Sequence, residues 1–172
     1  MDLTTFIKPS QFTQYGFTHG NVEEDVIQLA IFRVQETQIQ PLLGSPLFNK
    51  LKALIEAGPF SGVYYDLMIE YVLPALIPLA EIKLTFHLTS EIENKGVGRN
   101  SDQYMRSNTT DQNNNLRDEL RKDANHFSNQ LIRFLCDDNG ENYPEYLERT
   151  GAAVDFKPEG SGPTYLDQIS II

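Results

Sequence analysis

The sequence has a single cysteine, Cys136, so no internal disulfide can form and a reducing compartment is expected. It has no uncharged apolar run approaching the roughly 18 residues a membrane helix needs. Its longest apolar stretch, Val63 to Leu88, is punctuated by Asp66, Glu70, Glu81 and Lys83. The opening residues, MDLTTFIKPSQF, lack a basic region followed by an apolar one, so no secretory signal is expected.

Positive charge is scarce. There are 14 Lys and Arg against 24 Asp and Glu, a net charge of −10. From Asp137 onward the chain carries eight acids and only two bases, Arg149 and Lys157. A chain so acidic repels phosphate and lacks the basic patch that tight nucleic-acid binding needs. A surface past which DNA slides without sticking remains compatible with this charge.

Catalytic and metal signatures are missing too. There is no HExxH, CxxC, P-loop or GxSxG, and His19, His87 and His126 lie far apart. Gly96-Val97-Gly98 is followed by no Gly-Lys-Ser/Thr, which excludes a nucleotide loop. Asp137 to Asn142 fails as a calcium loop: with Gly140 at the sixth position, the first and twelfth would be Leu135 and Tyr146, neither a carboxylate. The better reading there is a helix stop with Gly140 or Asn139 in the left-handed turn. These gaps lead to the expectation of no catalysis, no metal and no cofactor.

What is present is helical periodicity in a chain of 172 residues, the size of one domain. An irregular arm, residues 1–20, either packs over its own core or reaches a neighbouring subunit. A first helix is expected from an Asn21 cap, with Glu24 three residues on and Val26, Ile27, Ala30, Ile31 and Val34 along one face. It should reach about Ile39 and end at Pro41 and Gly44. The second is capped by Ser45-Pro46 and stopped by Gly58-Pro59, with Leu47, Phe48, Leu51, Leu54 and Ile55 on one side.

The third is the stretch from Val63, apolar on nearly every side and therefore central. Pro74 and Pro78 lead to an expected break or kink near Leu73. Its aromatic residues Tyr64, Tyr65, Tyr71 and Phe86 read as core or interface rather than a ligand box. The polar segment Thr89 to Thr110 follows, with Asn94-Lys95-Gly96 supplying turn chemistry and Lys95, Arg99 and Arg106 its basic residues. A fourth helix is expected from about Asp111 to Cys136, striped by Leu116, Leu120, Ala124, Phe127, Leu131, Phe134 and Leu135. The predicted fold is thus mainly α. It is a four-to-five-helix bundle over residues 21–138 around a long kinked central helix. A long polar loop or short β-hairpin (89–110) precedes the last helix, and an extended tail (139–172) ends in apolar Ile169, Ile171 and Ile172.

Several segments, in this order, resemble one known family. They are QIQPLLG-x-PLFNKL (Gln38 to Leu51), Tyr71-Val72-Leu73-Pro74-Ala75, Asn94-Lys95-Gly96-Val97, Leu131 to Cys136, and Tyr143-Pro144-Glu145-Tyr146. The family consists of small proteins of tailed phages of Bacteroidetes, crAss-like phages among them, proposed to be head–tail connector (adaptor) proteins. The resemblance spans about residues 3 to 146. It implies a helical subunit in a twelve-fold ring below the portal, through which genome DNA passes without specific binding. It implies a location at the head–tail junction of the virion, and in host cytoplasm before assembly. The implied partners are the portal protein, other copies of the chain, and tail or further connector proteins, with no membrane and no cofactor.

Within that expectation the contact residues are Glu91, Asn94, Lys95, Gly96, Val97, Arg99 and Arg106 of the polar segment. Tyr165, Ile169, Ile171 and Ile172 of the tail join them. The alternative is a soluble helical binding module acting on a phage or host protein outside the virion. A carboxylate enzyme is a third reading, and it requires two or more acids converging in a pocket with raised pKa values.

Overall fold

The computed structural model describes the backbone of residues 3–16, 22–95 and 103–148, and their side chains apart from those of 86–95 and 103–113. Five helices make up these residues. They are α1 (Pro9–Tyr15), α2 (residues 24–43), α3 (Ser45–Ala57), α4 (residues 63–95) and α5 (Gln103–Asp138), followed by a 3-10 turn at Pro144–Tyr146. The described residues contain no strand. Ile92 to Lys95, one side of the hairpin considered above, are helical.

Helices α4 and α5 run antiparallel. Tyr71 stacks on Phe134, while further along α4 the carbonyl of Thr85 accepts a hydrogen bond from the Arg117 guanidinium (3.5 Å). Position rises along one helix as it falls along the other. The core lies between these two and α2. Leu67, Met68, Val72, Ala75, Leu76, Leu79, Ala80 and Leu84 of α4 are buried, with Ile27, Ile31 and Val34 of α2 and Leu120, Ala124, Leu131 and Leu135 of α5. Adjacent buried pairs such as Leu79 and Ala80 show that α4 is covered on more than one side, as its all-round apolarity demanded.

The helix does not break near Leu73. Met68–Val72 instead form one π turn, and the amide of Leu73 donates to the carbonyl of Met68 five residues back. Helix α2 repeats the arrangement. Gln35–Ile39 form a π turn, the amide of Gln40 donates to Gln35, and Pro41 follows directly. The predicted stop at Pro41 is therefore absent, and α2 ends at Leu43, where Gly44 takes φ 78°. Both turns absorb a slip in the apolar pattern. In α4 the step from buried Leu67 to buried Val72 is one residue longer than the i,i+4 spacing of a regular helix face, and so is that from Val34 to Ile39 in α2. A π turn takes up one extra residue and keeps both flanks on the core.

Other boundaries differ in smaller ways. Helix α2 starts at Glu24, with Glu23 extended before it, and Asn21 lies outside the described residues. Gly44, not Ser45, is the N-cap of α3; Ser45 is already helical and its hydroxyl accepts from the Gln40 side chain (3.1 Å). The polar stretch expected to be loop or hairpin from Thr89 to Thr110 is helical up to Lys95 and again from Gln103. In α5 the apolar stripe begins at Leu120, and Leu116 is exposed.

The N-terminal segment packs over its own core. Gln35, fully buried at the start of the first π turn, holds it by both ends of its amide. Its carbonyl accepts from the Phe6 amide (2.7 Å) and its amino group donates to the Thr4 carbonyl (3.1 Å). Phe6 then packs on Phe48, ring centroids 5.2 Å apart, and Phe12 of α1 is fully buried. At the end of α1 the chain passes close to the buried Glu81: a Cβ on Gly16 would lie 2.6 Å from its carboxylate, and a larger residue there would displace that side chain.

Two outcomes test these devices. Gln35→Ala strands a buried amide and a carbonyl, so a loss of about 1–3 kcal/mol is expected in urea unfolding, with faster exchange of the Phe6 amide. Deleting Ile69, which is exposed, returns α4 to regular register but drives the Pro74 ring onto the preceding turn, at a cost of about 3 kcal/mol. Adding Pro74→Ala to that deletion should restore most of the loss. If it does not, the π turn is not accommodating the proline.

Candidate functional site

The end of α5, the start of α4 and the 3-10 turn meet in an aromatic corner. Gly62, at φ 86°, begins α4, and the Val63 carbonyl in its first turn accepts a hydrogen bond from the Tyr143 hydroxyl (2.9 Å). Tyr143 stands edge-on to Tyr64 (5.6 Å) and near Phe134 (5.9 Å), which stacks on Tyr71 at 4.0 Å and 14°. Tyr146 is fully buried, its hydroxyl 3.8 Å from the Cys136 sulfur.

The chain reaches this corner through a reversal. Asn139 and Gly140 both take positive φ, 47° and 79°, as the helix-stop reading anticipated. Asp138 fastens the turn. Its carboxylate accepts from the amides of Asn142 (3.0 Å) and Tyr143 (3.2 Å), and from the Asn142 side chain. Burial opposes ionisation of Asp138, but these hydrogen bonds, that from the Asn142 side chain first, win and lower its pKa.

The two phenols are held protonated. Burial, then the hydrogen bond that Tyr64 donates to both oxygens of Glu145 (3.0 and 3.1 Å), pushes Tyr64 up to about 12. Burial, then the charges of Asp138 and Asp66, pushes Tyr143 up to about 12 as well. Neither is a base near neutral pH; both serve as donors that lock the turn to α4.

Beside the corner an open groove of about 460 Å³ is lined by Glu70, Tyr71, Gln130, Arg133, Phe134 and Asp137. Glu70 and Tyr71 come from the π turn of α4, and the others from the last turns of α5. Exposed Val63, Tyr65 and Ile69 occupy the same end of α4. Among the described residues no three or more His, Cys, Asp or Glu group in a way that could hold a metal ion, and no helix is long and apolar enough to cross a membrane.

Of the residues singled out in the sequence, Glu91, Asn94 and Lys95 lie on the last turns of α4 and Arg106 on the first turn of α5. The antiparallel pairing sends these two stretches toward the same end of the hairpin. Gly96, Val97, Arg99, Tyr165, Ile169, Ile171 and Ile172 lie outside the described residues. The groove was not visible in the sequence, because Glu70 and Asp137 come from separate helices. The only signals were Tyr143-Pro144-Glu145-Tyr146 and the aromatic residues of α4, and these reported packing.

The chain belongs to a family of unknown function, DUF6712, whose model matches residues 39–155. That span takes in the last five residues of α2, all of α3, α4 and α5, and the aromatic corner. No curated protein and no solved structure matches the chain.

The corner sets a pH dependence. Tyr64 and Tyr143 have folded-state values above the unfolded 10, so their contribution is complete below pH 10 and is lost as pH rises from 10 through about 12. Asp138 is lowered, so its contribution is present above the ordinary 3.8 and is lost as pH falls through its folded value. Urea unfolding across pH should show both limbs. Tyr64 and Tyr143 should ionise late in an ultraviolet titration, and Tyr64→Phe with Tyr143→Phe should remove two tyrosines' worth of the late-ionising signal.

Proposed function

We propose that this chain is a virion structural protein, a head–tail connector subunit that forms a ring below the portal and lets DNA pass without binding it. The observation that carries the reading is the α4–α5 hairpin. Beyond the Thr85–Arg117 contact the helical backbone of α4 continues ten residues, about 15 Å at the usual rise, and ends at the polar segment. A two-helix projection ending in Glu91, Asn94, Lys95 and Arg106 suits contact with a portal or with the next subunit of a ring. A compact body bearing the anchored N-terminal segment would keep that projection in place.

The charge supports the same reading. A net charge of −10 disfavours adhesion of DNA, which a conduit must release. The ordered resemblance from residue 3 to 146 is the third support, and it supplies the partners: portal, neighbouring copies and tail-side connectors.

Gold-labelled antibody against the chain, applied to purified particles in the electron microscope, should mark only the vertex where head meets tail. Mass spectrometry of the same particles should recover its peptides. Particles with neither label nor peptide would remove the connector reading and favour a binding module acting outside the virion.

A further inference from the structure

We propose that the groove between the π turn of α4 and the end of α5 docks a cationic side chain, arginine or lysine, presented by a protein partner. The stacked rings of Tyr71 and Phe134 are part of its lining, and an aromatic ring attracts a cation laid over its free face. Two exposed carboxylates, Glu70 and Asp137, stand at the groove, and the Gln130 side chain adds an amide oxygen that can accept from a guanidinium or ammonium. Aromatic surface combined with carboxylates is the chemistry that selects an organic cation over an anion.

Arg133 is the one cation of the lining, and it does not cancel this field. Among the described residues no ion pair joins it to Glu70 or Asp137. Asp66 and Asp138 add negative charge nearby, since both act with Glu70 on Tyr143, which packs beside Phe134. The backbone gives an independent pointer. Glu70 and Tyr71 sit within a π turn, a feature that recurs at functional sites. Exposed Val63, Tyr65 and Ile69 on the same end of the helix offer apolar surface for the segment that carries the cation. The partner surface is therefore a basic segment with apolar neighbours. The inference stands apart from the connector reading and holds or fails without it.

The test is fluorescence anisotropy of the full-length chain with two labelled peptides of equal length, one rich in Arg and Leu, the other in Glu and Leu. The basic peptide should bind, more weakly as salt rises. Glu70→Gln with Asp137→Asn should raise its Kd about tenfold, while Glu23→Gln with Asp25→Asn, an equal charge change on the exposed start of α2, should change it less than about twofold. Arg133→Gln should tighten binding by removing a like charge.

Three results would overturn the proposal. One is an affinity lowered equally by both double variants, which reports attraction to net charge alone. Another is preferential binding of the acidic peptide that Arg133→Gln abolishes, which makes the groove an anion site. The third is no binding of the basic peptide at low salt. Unchanged circular dichroism of the exposed-residue variants separates each of these from misfolding.

Discussion

A proline inside a helix withholds one amide hydrogen and presses its ring on the turn before it, and the two helices that build this core each contain one directly after a π turn. Pro41 follows Gln35–Ile39 and Gln40; Pro74 follows Met68–Val72 and Leu73. The apolar pattern of each helix also carries one residue too many at that place. The wide turn answers both demands at once, since it takes up the surplus residue and opens the ladder where the proline cannot donate. An interior proline costs about 3 kcal/mol, close to what one buried large apolar side chain returns. Helix α4 buries Leu67, Met68, Val72, Leu76, Leu79 and Leu84, so packing outweighs the proline and the helix stays continuous. The remaining features depend on this continuity. Gln35 can clamp the N-terminal segment because the first π turn holds it in the core, and the groove exists because the second turn places Glu70 and Tyr71 opposite α5.

Much of the helix inventory was legible. Ser45-Pro46 and Gly58-Pro59 bracket α3 to within a residue, and the stripe from Leu120 to Leu135 gives α5. The errors share a cause. Pro41 was read as a stop, Pro74 and Pro78 as a break or kink, and Thr89 to Thr110 as loop or hairpin, from intrinsic preferences. Those preferences amount to at most ~0.7 kcal/mol per residue outside Gly and Pro, and a partner helix alongside readily overrides them. Ser107-Asn108-Thr109-Thr110 is a poor helix former, yet it is helical as part of α5. Leu116 fits the period and is still exposed, because periodicity names a face without saying how far the covering core extends.

The aromatic corner was legible only as a motif. Tyr143 and Tyr146 are spaced so that one 3-10 turn buries both, and Pro144 and Glu145 complete the turn between them. The sequence could not show that Glu145 would find Tyr64, or that Asp138 would hold the reversal, because those partners are set by how the chain closes. The result is a region in which the hydroxyls of Tyr64 and Tyr143 and the carboxylates of Asp138 and Glu145 each have a hydrogen-bond partner. At the groove Glu70, Arg133 and Asp137 make no ion pair among the described residues, and neither does Asp66 nearby.

That division bears on how an acidic protein selects partners. Charges spread over a surface act through water and fade over roughly 8 Å at physiological salt, so a net charge of −10 gives solubility and a general aversion to phosphate. It does not by itself distinguish one basic protein from another. Selection requires charge fixed against a surface that excludes water, where a mispaired group is costly. The Tyr71–Phe134 stack sets aromatic surface beside two carboxylates, Glu70 and Asp137, and the hairpin places a second set of polar residues at the far end of the same two helices. Helices α4 and α5 therefore join the two regions proposed for contact through one packed core, and a shift of register in either helix would be felt at both.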